Sequence, residues 1–191
     1  LLEKKSIRSS IMESLKKSLE EKNMETNEHT ERVAKYALEI GKKLRLKISD
    51  LDELTLVASL HDIGKIGVNE DILLKPGKLT KEEFEIMKTH TEKGYRIINA
   101  SSELGNVAKC VLTHHEKWDG TGYPLGLKKE EIPLIARIIN VADSYDVMTN
   151  DRVYKKAISK EEAIVELKRC SGIQFDPKIV ERFIDYLHDE T

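Results

Sequence analysis

The chain has 191 residues, and its 32 Lys and Arg against 34 Asp and Glu leave a net charge of −2. That balance excludes a global attraction to DNA or to an acidic membrane, so any phosphate chemistry must rest on local charge. With 35% charged residues, 5% aromatics and no run near the roughly 18 apolar residues of a membrane helix, the composition favours solvated helices over a β-sandwich.

Length alone predicts one domain with an extension. No signal peptide is visible. Cys110 and Cys170 belong to no short motif, which predicts reduced thiols in a cytoplasmic protein.

The chain starts on Leu1 in a charged stretch where Ile7, Ile11, Leu15 and Leu19 recur at steps of four. So narrow a stripe suits a linker helix over residues 1–24 that meets a partner helix, as in a homodimer. The expectation is a fragment of a longer polypeptide, with a sensory or receiver domain upstream. The main domain is then 25–191. Its first helix, about Thr26 to Arg45, puts Val33, Ala37, Ile40 and Leu44 on one face. Ser49 with Asp52 is expected to cap the next helix, which carries Leu54, Val57 and Leu60 toward Gly64. Pro76-Gly77 marks a turn, and Thr80 with Glu83 forms a capping box for a helix through Phe84 and Met87.

Further helices fit about Thr91–Ala100, Leu104–His115, Pro133–Thr149, Ser159–Cys170 and Pro177–Leu187. Ser159 with Glu162 is a second capping box, and Asp176 precedes a first-turn proline. One long irregular stretch, Glu116 to Glu131, holds Gly120, Gly122, Pro124 and Gly126. Loops of that length inside a domain are usually functional. With no alternating strand pattern, the predicted fold is all-α, a helical bundle.

Several side chains do not fit a plain bundle. Glu25 and His29 lie one turn apart and can grip one ion, and His29 continues the buried stripe of Val33 and Ala37. Asp143 follows Ile139 by one turn in an apolar run, so its carboxylate should point inward. A buried unpaired carboxylate costs several kcal/mol, roughly, unless a cation neutralises it. The neighbours His61-Asp62 and His114-His115 can each serve two adjoining ions, because successive helical residues diverge by about 100°. His90 completes the set, and His188 near the chain end is left outside it. Imidazoles mixed with carboxylates and no thiolate argue against a structural zinc knuckle and fit iron, manganese or zinc in a catalytic cluster.

Three segments carry a family resemblance: HDIGK (His61–Lys65), HHEKWDGTGYP (His114–Pro124) and ADSYDVMTNDRVYK (Ala142–Lys155). They resemble the HD-GYP family, bacterial phosphodiesterases within the HD phosphohydrolase superfamily. The resemblance spans about Glu25 to Phe183. It implies an HD-domain bundle with a metal site between helices, and cyclic di-GMP as substrate. By position it makes Glu25, His29, His61, Asp62, His90, His114, His115 and Asp143 metal ligands. It makes Lys65 an active-site lysine, and Tyr123, Asp146, Arg152 and Lys155 substrate contacts. Glu25 looks like the added ligand of trinuclear members, so two or three divalent ions, Fe or Mn, are implied, with three favoured. The expected reaction cleaves cyclic di-GMP to pGpG, with onward cleavage to GMP as a further step. The alternatives are a related hydrolase for another cyclic dinucleotide or nucleotide, and a nucleotide-binding regulatory module.

The chemistry expected of the residues follows from their types. Paired metals lower the pKa of a water and hold a phosphoryl oxygen for in-line attack. Asp62 is the better candidate to bridge them, and Lys65, three residues on, can neutralise charge developing on phosphate. Tyr123 offers a stiff aromatic edge, Trp118 is expected to pack under the loop, and Arg152 can take phosphate oxygens in bidentate fashion.

Overall fold

The computed structural model describes residue 17 and residues 27–151 and 156–189. The linker stripe, Glu25, Arg152 and Lys155 lie outside the described residues.

Among the described residues there are nine α-helices and no strand. Their bounds are α1 Asn27–Lys43, α2 Ile48–Leu60, α3 Glu70–Leu73, α4 Lys81–Lys88 and α5 His90–Asn99, then α6 Gly105–Thr113, α7 Leu134–Thr149, α8 Lys160–Cys170 and α9 Pro177–Asp189. The all-α expectation holds, and the boundaries fall within about three residues of those read from periodicity. α1 lies against α2, α7 and α9, while α5 lies against α6 and the 3-10 turn Ile63–Gly67.

The predicted apolar faces form the core. Val33, Ala37 and Ile40 of α1 meet Leu54, Val57 and Leu60 of α2, all fully buried, with Ile138, Ile139, Val141 and Ala142 of α7 and Phe183 of α9. Both capping boxes form: Thr80 Oγ1 accepts from Glu83 N, and Ser159 Oγ accepts from Glu162 N. Asp176 Oδ1 accepts from Lys178 N across the first-turn proline.

One cap differs. α2 begins two residues earlier than expected, after Lys47, with no side-chain cap, and the Ser49 hydroxyl reaches Asp50 instead. The apolar Ile48 opens the helix in place of the polar signal. The short α3 carries no apolar periodicity, and Asn69 caps it by accepting from Asp71 N.

Candidate metal centre

The ends of helices deliver the donors. His29 sits in the first turn of α1, His61 and Asp62 just past the end of α2, His90 at the start of α5, and His114 and His115 just past α6; Asp143 lies on α7. Ligand atoms of Asp62, His90, His114 and His115 all lie within 4.8 Å of one another, as do those of His29, His61 and Asp143. His61 and Asp62 therefore fall in different groups, as divergence around a helix axis leads one to expect. His114 and His115 fall in the same group. The helix has ended at Thr113, and their rings sit 4.0 Å apart at 42°.

Asp62 links the two groups. Its Oδ2 is 3.3 Å from His61 Nε2 and its Oδ1 is 3.4 Å from His90 Nε2. The other Oδ2 contact is Lys65 Nζ, at 2.7 Å. Burial opposes charge on this carboxyl, but the Lys65 ammonium and the His61 imidazole hold it well below the usual carboxylate range. On the other side of the site, Asp143 Oδ1 lies 3.5 Å from His29 Nε2.

The histidines are fixed from behind. His61 Nδ1 donates to Ala58 O at 2.8 Å, His90 Nδ1 to Met87 O at 2.8 Å, and His114 Nδ1 to Val111 O at 2.7 Å. A carbonyl only accepts, so each ring carries its proton on Nδ1 and, when neutral, turns an Nε2 lone pair inward. Those three Nε2 atoms, with Asp62 Oδ1, are buried and have no hydrogen-bond partner. An unsatisfied buried polar atom costs about 1–3 kcal/mol. Cations in the two groups would satisfy all of them, so this donor set fits divalent metal.

Proton affinities show the same design. Burial, reinforced by the neighbouring rings, pushes His114 well below the ordinary imidazole value and His115 down to about 3. His90 is also lowered, first by burial. On His61 burial works in the same direction, but Asp62, with Asp143 behind it, outweighs it and raises the ring to about 9. Three rings are thus kept neutral, with lone pairs free for a cation, while His61 holds its proton beside Asp62.

His29 is backed differently. Its Nδ1 lies 2.6 Å from Asp146 Oδ2, and the same carboxylate accepts from Arg32 Nε at 2.5 Å and from Asn150 Nδ2 at 2.9 Å. Asp146 is 1% exposed. Desolvation raises it, yet the bonds from His29 and Arg32 hold it below the usual range. The residue expected among the substrate contacts therefore sits behind a metal-ligand candidate.

The loop after α6 is shaped by Glu116, to which the motifs assign no role. Glu116, 2% exposed, accepts from Leu125 N at 2.6 Å and Gly126 N at 3.1 Å through one oxygen. Gly122 then lies against the loop's own start, where a Cβ would meet Lys117 N at 2.2 Å and Glu116 Cα at 2.5 Å. The signal was present as the third letter of the HHE run. Tyr123 is thereby laid on His115, ring centroids 5.0 Å apart and planes at 33°. Burial, with the charges of Asp62 and Asp143, raises its hydroxyl above the usual phenol value, so it stays a donor. Gly64 plays a comparable part between the groups, since a Cβ there would fall 1.8 Å from His90 O. The Arg137 guanidinium of α7 lies over the Trp118 ring, 5.6 Å from its centroid. His188 is exposed at the far end of α9.

Fold and site together define a helical domain fitted to hold divalent cations. The HD domain family model matches residues 13–179, and the chain belongs to that family. A cyclic di-GMP phosphodiesterase of Thermotoga maritima is 47% identical over 178 residues, which is 91% of this chain and 48% of that protein. A probable cyclic di-GMP phosphodiesterase of Vibrio cholerae is 41% identical, covering 86% of this chain and 41% of that protein. A solved structure described as a cyclic GMP-AMP-specific phosphodiesterase of V. cholerae superposes with a TM-score of 0.70 at 25% identity, over 95% of this chain and 49% of that one. These relatives agree with the HD-GYP resemblance read from the motifs. The chain spans about half the length, or less, of the curated relatives it matches. No helix among the described residues is long and apolar enough to cross a membrane.

Proposed function

We propose that this chain is a metal-dependent phosphodiesterase that opens cyclic di-GMP to pGpG, with GMP as the further product. The observation that carries this reading is the inward convergence of imidazole lone pairs and carboxylates on a shared centre, with Lys65 and Tyr123 beside it. The donors of the first group would be His29, His61 and Asp143, and those of the second His90, His114 and His115, with Asp62 shared. Divalent cations held there would supply Lewis-acid chemistry and an acidified water at neutral pH. The ligand types suit Fe or Mn. Glu25, one turn before His29 in sequence, is the proposed ligand of a third ion.

The protein's own residues do the rest. Lys65, anchored on Asp62, places a positive charge where the phosphodiester gains negative charge. Tyr123 keeps its proton and donates to a phosphate or ribose oxygen. Asp146 holds His29 in the tautomer that presents Nε2, as carboxylates behind metal-bound histidines do. Arg152 and Lys155 are proposed to bind the phosphates. The unpaired Cys110 and Cys170 suit a cytoplasmic setting. Residues 1–24 are proposed to form a linker that dimerises and receives an upstream sensory or receiver domain.

The solved cyclic GMP-AMP-specific relative favours a second reading, in which the mixed dinucleotide is preferred. Side-by-side turnover by anaerobically metallated protein tests both. Cyclic di-GMP is expected to be cleaved faster, and combined His61→Ala and Asp62→Ala substitution should abolish turnover with helicity retained. Robust activity in that double variant would refute the reading.

A further inference from the structure

Beyond Tyr123 the site continues into an aromatic surface on α4. Phe84 meets the Tyr123 ring edge-on, with centroids 6.4 Å apart at 82°. Lys88, one turn further along α4, lies over both rings, its Nζ 5.2 Å from Phe84 and 5.4 Å from Tyr123. The series therefore runs without a break from His115 through Tyr123 to Phe84.

Phe84 is not a core residue. It is 45% exposed, and α4 has no fully buried side chain. The helix is held instead by its capping box and by Lys75, whose Nζ bonds both Glu83 oxygens at 2.7 and 2.6 Å. An aromatic face left in water beside a metal centre has a physical use when a flat ring covers it. Every nucleobase has such a ring, and stacking on an aromatic side chain tolerates any base. Lys88, now bonded to Glu85 Oε1 at 2.7 Å, adds a cation over one side of these rings and leaves the other side open to a base. A dianionic ligand attracts such a charge.

We infer that Phe84, backed by Tyr123 and bordered by Lys88, is the stacking platform for one purine of a cyclic dinucleotide. This rests on the phosphodiester reading above, and it assigns α4 a substrate contact that the motifs do not mark. Phosphate engages the metal centre while the base lies outward over Phe84. Base recognition and bond cleavage are therefore carried by different elements and can be separated.

The test pairs equilibrium binding of cyclic di-GMP with turnover, using metal-loaded protein. Phe84→Leu keeps the apolar volume and removes the stacking face; Phe84→Trp restores it. Phe84→Leu is expected to weaken binding and raise KM about tenfold, with kcat, metal content and Tm unchanged. Phe84→Trp should return the affinity, and its indole fluorescence should be quenched by the dinucleotide. Lys88→Met should give a smaller loss that high salt masks. Affinity unaltered in Phe84→Leu, with the wild type active, would overturn the platform and leave the hydrolase reading standing. Binding weakened by Phe84→Leu in a protein without turnover would sustain the platform and remove that reading. Absence of binding by the wild type would end both.

Discussion

Across the two donor groups the histidines are supported in two opposite ways. Behind His90 and His114, and behind His61 at the junction, stands a backbone carbonyl three residues earlier in the chain. Behind His29 stands a carboxylate 117 residues away on α7, itself held by Arg32 and Asn150. The first arrangement is built by a helix end and survives most side-chain changes. The second exists only when α1 docks on α7, and it depends on one side chain. A negatively charged partner also makes the imidazole a stronger donor than a carbonyl does. His29 is thus tunable by mutation, whereas His61, His90 and His114 are set by the backbone.

Replacing Asp146 should break that contrast most visibly. Asp146→Ala leaves His29 without its orienting partner and Arg32 without its counter-charge, and affinity for the cation at this group should fall about 10–100-fold. The group around His114 should keep its affinity, so a metal titration should split from one phase into two. Equal weakening at both groups would show that they are not separately supported.

A smaller effect concerns pH and the metal-free protein. His90, His114 and His115 have folded values below the ordinary 6.5, so the unfolded chain binds more protons as pH falls through 6.5, and stability drops there. His61 is the reverse case. Its folded value of about 9 lies above 6.5, so its contribution is complete below 6.5 and is lost as pH rises through 9. Thermal unfolding of chelator-treated protein should therefore peak near pH 6.5, falling on the alkaline side by a few kcal/mol, roughly. Metal-loaded protein, with His61 already deprotonated by its cation, should be flat between 6.5 and 9. Identical profiles with and without metal would show that His61 is not a ligand.

What the sequence revealed of this site follows the same division. Capping boxes and the apolar faces of α1, α2 and α7 are local features that spacing alone discloses, whereas the donor set is what the motif resemblance implies. His29 was placed on the buried side of its helix because it continues the stripe of Val33 and Ala37, and it is 4% exposed. The bond between His29 and Asp146 has no local signature. Asp146 reads as a substrate contact until α1 and α7 are brought together. Glu116 was hidden for a related reason, since its partners, the N–H groups of Leu125 and Gly126, belong to the backbone and carry no side-chain signal. Phe84 reads as an ordinary helix residue in sequence, because its exposure and its approach to Tyr123 arise only in the fold.

The most direct measurement is anomalous diffraction from crystals grown anaerobically with Mn(II) or Fe(II). Peaks are expected between His29, His61 and Asp143 and between His90, His114 and His115, with one Asp62 oxygen turned to each. Filled density at neither position, in protein that still cleaves cyclic di-GMP, would contradict the account at its root.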